Sequence, residues 1–126
     1  MKIIGKVIQI LEDAHFELIG IRMLKFTDRM AESFYSIHKD RDFFPELISY
    51  MTSGKCIALA LRKDNAVSDL RNLMGDTDPL LAENGTIRNK YGKDKQYNVI
   101  HGSDSDGNAE KEVAFFFSAG DIPGNL

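Results

Sequence analysis

The stretch that most constrains the fold is a continuous apolar run, Cys56–Leu61, which reads Cys-Ile-Ala-Leu-Ala-Leu without a polar residue. A run of this kind lacks the alternation of a half-exposed strand, and it is typical of a β-strand that is covered on both faces. A second segment, Phe16–Phe26, is rich in Phe, Ile, Leu and Met and predicts another strand. The chain must therefore supply apolar neighbours for both sides of a sheet.

Helical patterns lie on either side of these strands. The spacing of apolar residues predicts helices over Ile3–Asp13, Asp28–His38 (capped by Thr27), Phe43–Met51 and Asn65–Met74, and a last helix with Ala109, Val113, Phe116 and Phe117 on its inward face. The intervening segments Gly75–Gly85 and Lys90–Tyr97 are polar and predict irregular structure. This order of elements predicts an α+β sandwich of helices against an antiparallel sheet.

Composition narrows the class of protein. With 126 residues, 43% hydrophobic and 28% charged, the chain fits one globular domain over 1–126, of which 118–126 form an exposed tail. A net charge of -3 gives no basic footprint for nucleic acid. We find no apolar run that approaches a membrane span and no signal peptide, so we expect a cytoplasmic protein. The single Cys56 excludes an internal disulfide and predicts a buried, reduced thiol.

The segment with the clearest chemical signal surrounds His101. Val99-Ile100 predicts the end of a short buried strand, and Gly102 permits a turn and the close approach of a ligand. Ser103, Asp104 and Ser105 are all good helix caps. His101 is therefore predicted on a strand-to-helix turn beside backbone N–H groups that favour anions. A neutral imidazole there can attack phosphorus as a nucleophile. Taken alone, however, an isolated histidine is more often an ordinary loop residue that caps local structure, and only its neighbours favour the chemical role.

Several motifs in register then resemble one family. The active-site signature of nucleoside diphosphate kinases resembles the segment Asn98-x-x-His101-Gly102-Ser103-Asp104-Ser105, which is followed by Glu112. Three further motifs also match that family in order and spacing: Tyr35-x-x-x-Lys39-Asp40-Arg41-x-Phe43-Phe44, Gly75-Asp76-Thr77-Asp78-Pro79 and Thr86-Ile87-Arg88. The resemblance runs from Ile3 to about Phe117.

This resemblance implies a ferredoxin-like βαββαβ sandwich, with helices packed on an antiparallel sheet. Family members begin with a strand that carries a lysine, whereas Met1 stands here at the first helix, so the first strand is expected to be missing. We expect that strand to be central, flanked by the strands near Leu18 and Cys56. Its absence would leave a row of unpaired backbone groups, each costing about 1–3 kcal/mol.

The resemblance also implies roles for individual residues. The phosphate-binding positions of the family correspond to Tyr35, Arg71, Thr77 and Arg88, with Arg41 near the phosphates. Phe43 and Leu47 correspond to the pair that clamps the base, Asn98 to a sugar contact, and Glu112 to the carboxylate that orients the imidazole. From the residue types alone, the arginines would be solvated surface charges, Phe43 a core residue and Glu112 an exposed helix residue.

The implied activity is phosphoryl transfer from ATP to a nucleoside diphosphate through a phosphohistidine on His101. Mg²⁺ would arrive with the nucleotide, held by phosphates and water, because the sequence has no carboxylate cluster that demands a metal site. The family also implies a homo-oligomer, a tetramer or hexamer. Two alternatives remain at this point: a weakly active or inactive nucleotide-binding or scaffolding relative, suggested by the missing strand, and a histidine phosphocarrier in signalling.

Overall fold

The apolar run forms a strand, β2 (Lys55–Arg62), which pairs antiparallel with β1 (Glu17–Lys25). Glu17 lies opposite Arg62 and Lys25 opposite Lys55, with one irregularity between Leu18 and Gly20. The computed structural model describes residues 3–36, 40–42, 44–93 and 99–122, and within them these two strands form one sheet. Both strand predictions are therefore confirmed.

The predicted position of the missing strand is wrong. Leu18 pairs with Leu61, and Leu24 with Cys56, so the two strands are direct neighbours and no strand fits between them. Their facing backbone groups already form the ladder of hydrogen bonds that an antiparallel pair provides. The predicted row of unpaired groups between these strands is therefore not present.

The two faces of β2 contact different parts of the core. Cys56 packs against a first core cluster, which consists of Phe26, Ala31, Tyr35, Leu47 and Ile48. Leu59 and Leu61 point to the other face and pack against a second core cluster of Val7, Leu11, Phe16 and Ile87. Because side chains alternate along a strand, an apolar run without alternation serves both clusters, as the sequence predicted.

The helices are α1 (Ile4–Asp13), α2 (Asp28–Phe34), α3 (Phe44–Thr52), α4 (Ala66–Met74), α5 (Ile87–Tyr91) and α6 (Asp106–Phe116). Helices around an antiparallel sheet confirm the predicted α+β class. The cap of α2 is confirmed, since Thr27 Oγ1 accepts from Met30 N at 3.2 Å, but the helix ends at Phe34 instead of His38. Residues 37–39 lie outside the described part of the chain.

Two local predictions need correction. The segment Lys90–Tyr97 is not irregular throughout, because α5 extends to Tyr91 from a Thr86 cap whose Oγ1 accepts from Asn89 N at 3.3 Å. Val99-Ile100 is not the end of a strand, because Val99 has a φ of +77°, which extended backbone excludes.

The chain beyond α6 lies along β1. The Arg22 guanidinium donates to the Phe116 carbonyl at 2.8 Å, and the missing side chain of Gly20 leaves room for the Phe117 and Ile122 side chains. Ala119–Asp121 form a single 3-10 turn, in which Ser118 donates to the Asp121 carboxylate. Ser118 and Asp121 are exposed, as expected of the tail, whereas Ile122 is half-buried and residues 123–126 lie outside the described part.

We predict that the second core cluster contributes much of the stability. Leu11 is 2% exposed, so Leu11→Ala should lower the free energy of unfolding by about 2–5 kcal/mol through lost burial and a residual cavity. Leu80 is 88% exposed, so Leu80→Ala is the matched control. It should change the free energy of unfolding by less than about 0.5 kcal/mol. Chemical denaturation measures both, and equal losses would contradict the assignment of Leu11 to the core.

Candidate functional site

His101 lies in the segment between α5 and α6, on a loop of residues 99–105 that we call the histidine loop. The residue is exposed, and its ring meets the Tyr35 ring edge-on, with centroids 6.1 Å apart and planes at 68°. The loop ends in a standard helix cap, because Ser105 Oγ accepts from Asn108 N at 3.1 Å. The fold therefore brings a solvent-accessible imidazole next to a tyrosine that is distant in sequence.

Tyr35 belongs to the first core cluster and is buried, with its ring 4.9 Å from that of Phe34. Burial, together with the nearby Cys56, Glu112 and Tyr50, raises the pKa of the Tyr35 phenol far above its usual value. The hydroxyl therefore keeps its proton across the physiological range and is available as a hydrogen-bond donor. The same electrostatic contact shows that Glu112 of α6 lies near Tyr35.

Glu112 makes a direct hydrogen bond to the histidine loop. Ser103 Oγ donates to Glu112 Oε1 at 2.7 Å, and both residues are half-buried. The carboxylate thus joins α6 to a residue just beyond His101, and Glu112 is not the fully exposed helix residue that its type alone suggests. That Glu112 orients the imidazole itself stays a prediction.

Arg88 is buried, with 8% of its surface exposed, so the interpretation of this residue as a solvated surface charge is wrong. Its Nη1 donates to the Gly75 carbonyl at 3.2 Å and its Nη2 to the Ile100 carbonyl at 2.7 Å. Burial is the main cause that lowers the Arg88 pKa, and the neighbouring Arg71 lowers it further, while Asp76 raises it. The guanidinium therefore connects the end of α4 to the histidine loop.

Arg71 stands on α4 and is open to solvent. Its Nη1 contacts Asp104 Oδ1 at 3.2 Å, with the two side chains 55% and 62% exposed. An ion pair this exposed contributes little to stability and exchanges readily for another anion. Because Arg71 also acts electrostatically on Arg88, the structure brings both predicted phosphate-binding arginines close together beside the histidine loop.

The remaining predicted residues differ in their surroundings. Thr77 is exposed in the loop that follows α4, and Arg41 is exposed in the charged turn of residues 40–42. Leu47 belongs to the first core cluster and is only 6% exposed. Phe43 and Asn98 lie outside the described residues, so the base clamp and the sugar contact stay predictions.

Gly102 packs closely on α4. A Cβ built on this residue would lie 2.9 Å from Met74 Cε, the far end of a flexible side chain, and 3.2 Å from Leu70 Cδ2, which is tighter than most real contacts. The absence of a side chain therefore lets the histidine loop rest directly on the helix that carries Arg71. The neighbour of Gly102 here is a helix, so the close approach of a ligand to this residue stays a prediction.

Several contributors to the site were missed from the sequence. Asp104 entered the sequence analysis only as a helix-cap candidate, and the carbonyls of Gly75 and Ile100 give no sequence signal because every residue carries a carbonyl. The glycine at position 75 is itself one clue, because glycine is common just after the end of a helix. Gly75 follows α4 and has a φ of +88°.

We predict that Gly75 is required for the path of the chain between α4 and α5. A Cβ there would lie 2.5 Å from Thr86 Oγ1, and the positive φ adds strain. Gly85 also has a positive φ, +94°, but nothing lies within 4 Å of its Cβ position, so Gly85→Ala isolates the strain. Gly75→Ala should lower the free energy of unfolding by about 1–3 kcal/mol more than Gly85→Ala. Equal losses in thermal unfolding would show that Gly75 has no packing role.

Within the described residues, no helix is both long and apolar enough to span a bilayer. In the same part of the chain, no three His, Cys, Asp or Glu side chains are grouped as metal ligands. Among the described residues, the site brings together an exposed imidazole, two arginines, the Glu112 carboxylate and hydroxyl-bearing side chains.

Comparison with known proteins identifies the family of this chain. The family model for nucleoside diphosphate kinase matches residues 1–122. A nucleoside diphosphate kinase from Histophilus somni is 47% identical over 120 residues, which cover 95% of this chain and 85% of the relative. One from Chlorobaculum tepidum is 45% identical over 121 residues, covering 96% and 86%.

Solved structures agree with the sequence comparison. The Aquifex aeolicus nucleoside diphosphate kinase gives a TM-score of 0.94 at 35% identity, covering 95% of this chain and 87% of its own. The Halobacterium salinarum enzyme, solved in complex with CDP, gives 0.92 at 36% identity, covering 96% and 81%. The ferredoxin-like α+β fold is thereby confirmed, and the chain belongs to the nucleoside diphosphate kinase family.

Proposed function

We propose that this protein is a nucleoside diphosphate kinase that transfers the γ-phosphoryl group of a nucleoside triphosphate, such as ATP, to a nucleoside diphosphate. The observation that carries the proposal is the placement of His101: an exposed imidazole on a loop that is held by Arg88 and lies beside Tyr35. Membership of the family supports the same activity. One site serves both halves of the reaction, which makes the kinetics ping-pong.

In the first half-reaction, an imidazole nitrogen of His101 attacks the γ-phosphorus. A phosphorus–nitrogen bond forms, the bond from phosphorus to the bridging oxygen breaks, and its electron pair leaves with the nucleoside diphosphate. In the second half-reaction, a terminal oxygen of another diphosphate attacks the same phosphorus and the imidazole departs. Electrons balance in each half, so no further reactant is required.

The phosphoryl group needs positive charge and donors around it in the transition state. Arg71 is suited to this because its guanidinium is exposed and its present partner, Asp104, is held only by a surface ion pair. Arg88 adds a second charge, and Tyr35 has a hydroxyl that stays protonated. In this proposal Thr77 contributes a further hydroxyl and Arg41 a further guanidinium.

Recognition of the nucleoside follows the family pattern. The Halobacterium salinarum relative was solved with CDP bound, which supports a nucleotide site in this chain. We assign the base to Phe43 and Leu47 and a sugar hydroxyl to Asn98. A clamp that contacts the face of a base, rather than its edges, accepts all bases.

Mg²⁺ is proposed to enter as part of the nucleotide substrate, held mainly by phosphate oxygens and water. Its charge would offset the negative charge that collects on the phosphates during transfer. We also propose that the protein acts in the cytoplasm and as a homo-oligomer, a tetramer or hexamer, as the family resemblance implies.

The test of the proposal is the loss of the nucleophile. His101→Ala should abolish both the acid-labile phosphoenzyme formed from γ-labelled ATP and the transfer of label to a diphosphate, because no nitrogen remains to attack phosphorus. Nucleotide affinity should change by less than about tenfold, since the arginines remain.

The matched control is His15, an exposed histidine with a φ of +71°, for which asparagine is a compatible substitute. His15→Asn should keep both half-reactions. Retention of a phosphohistidine in His101→Ala, or its loss in His15→Asn, would show that the wrong histidine has been assigned.

A further inference from the structure

The histidine loop contacts neighbouring helices on both sides of His101. On one side, the Ile100 carbonyl accepts from Arg88 Nη2 at 2.7 Å. On the other side, Gly102 lies so close to α4 that an added Cβ would be 2.9 Å from Met74 Cε. The hydrogen bond comes from α5 and the packing contact from α4. The loop that carries the imidazole therefore contacts two helices that also border the site.

The backbone just before His101 is strained. Val99 has a φ of +77°, a region that β-branched residues avoid because their side chain collides with the backbone. Such a conformation persists only where the surrounding structure enforces it. Val99 is half-buried and packs against the second core cluster, and the next residue, Ile100, is the one that Arg88 holds.

Arg88 is suited to holding a backbone. Its planar guanidinium reaches two carbonyls at once, Gly75 and Ile100, and it does so in a position that is 8% exposed. The Gly75 carbonyl is itself fixed by a glycine-specific backbone conformation at the end of α4. A lysine carries its three donors on one nitrogen, so it cannot place two separate donor nitrogens against the two carbonyls as the planar fork does.

We infer that Arg88 is a positioning residue: its guanidinium holds the strained Val99-Ile100 backbone in the free protein and thereby sets His101 in place before a nucleotide arrives. The link to catalysis rests on the proposed function, whereas the effect on the loop does not. The role divides the two arginines. Arg71, exposed and paired with Asp104, acts on the phosphates, and Arg88 acts first on the loop.

The experiment compares Arg88→Ala, Arg88→Lys and Arg71→Ala in the full chain without nucleotide. In perdeuterated Arg88→Ala protein, the amide order parameters of Ile100, His101 and Gly102 should fall from about 0.85, which is typical of rigid backbone, to below about 0.6. Backbone chemical shifts should show Val99 leaving its positive φ. Arg88→Lys should lie between wild type and alanine. Arg71→Ala removes the same charge and the exposed ion pair to Asp104 at the far end of the loop, and it should leave the order parameters of Ile100, His101 and Gly102 unchanged.

Kinetics give a second readout. At saturating ATP, Arg88→Ala should phosphorylate His101 at least about tenfold more slowly, because small displacements of a nucleophile are costly. The nucleotide Kd should also rise, because Arg88 adds a charge to the phosphate site, and saturating ATP keeps this loss of binding out of the measured rate. Arg71→Ala should raise the Kd by about tenfold or more. Circular dichroism checks folding, and Arg88→Lys carries the test if the alanine variant does not fold.

Wild-type order parameters in Arg88→Ala would overturn the inference, and so would a rise in Kd equal to that of Arg71→Ala with an unchanged loop. Failure of the proposed function has a different signature. If wild-type protein takes no phosphoryl group on His101, the proposed function fails, yet the order parameters still decide whether Arg88 holds the loop.

Discussion

The buried guanidinium of Arg88 is the contact on which the arrangement of the site depends. Taking a charge out of water is expensive unless it is hydrogen-bonded, and Arg88 meets that condition in part. Its two Nη atoms donate to the carbonyls of Gly75 and Ile100, whereas its buried Nε has no hydrogen-bond partner among the described residues. These bonds join the end of α4, the start of α5 and the histidine loop, which are separate in sequence. The same bonds hold the Arg88 guanidinium beside Arg71. Burial and then the repulsion between these two positive charges lower the pKa of Arg88.

The sheet connects this contact to the core. Because the two faces of β2 serve different clusters, the elements that border His101 are anchored separately: Tyr35 belongs to the first core cluster, and Ile87, which precedes Arg88, is a fully buried member of the second. Val99 and Ile100 pack against that second cluster. An exposed imidazole thus stands on a loop whose neighbours are rigidly packed, which is what a positioned nucleophile requires.

Much of the architecture could be predicted from local patterns. The run Cys56–Leu61, the caps at Thr27 and Ser105, and the periodicity of α1 and α4 each reflect short-range rules, and the structure confirms them. The prediction for α6 is only partly right, because none of its residues is fully buried and Phe117, predicted on its inward face, lies beyond the last helical residue, Phe116. Resemblance to the family added the set of site residues, of which the structure brings Tyr35, Arg71, Arg88 and Glu112 together around the histidine loop.

What the sequence could not predict depends on long-range packing. Strand pairing is not encoded locally, so the direct β1–β2 ladder was mistaken for a pair separated by another strand. Val99 has strong strand propensity, but packing and the Arg88 contact to Ile100 override it. An arginine is exposed in most proteins, so nothing in its residue type could indicate that Arg88 is buried while Arg71 is not.

The most direct test of the central claim, that the fold positions His101 as the phosphoryl acceptor, is to locate the phosphoryl group in the wild-type protein. The protein would be incubated with ATP and Mg²⁺, digested at a pH that preserves phosphohistidine, and sequenced by tandem mass spectrometry, before and after addition of a nucleoside diphosphate. We predict that the phosphoryl group is found on His101 and disappears when the diphosphate is added. A phosphoryl group on another residue, or one on His101 that no diphosphate removes, would contradict this assignment.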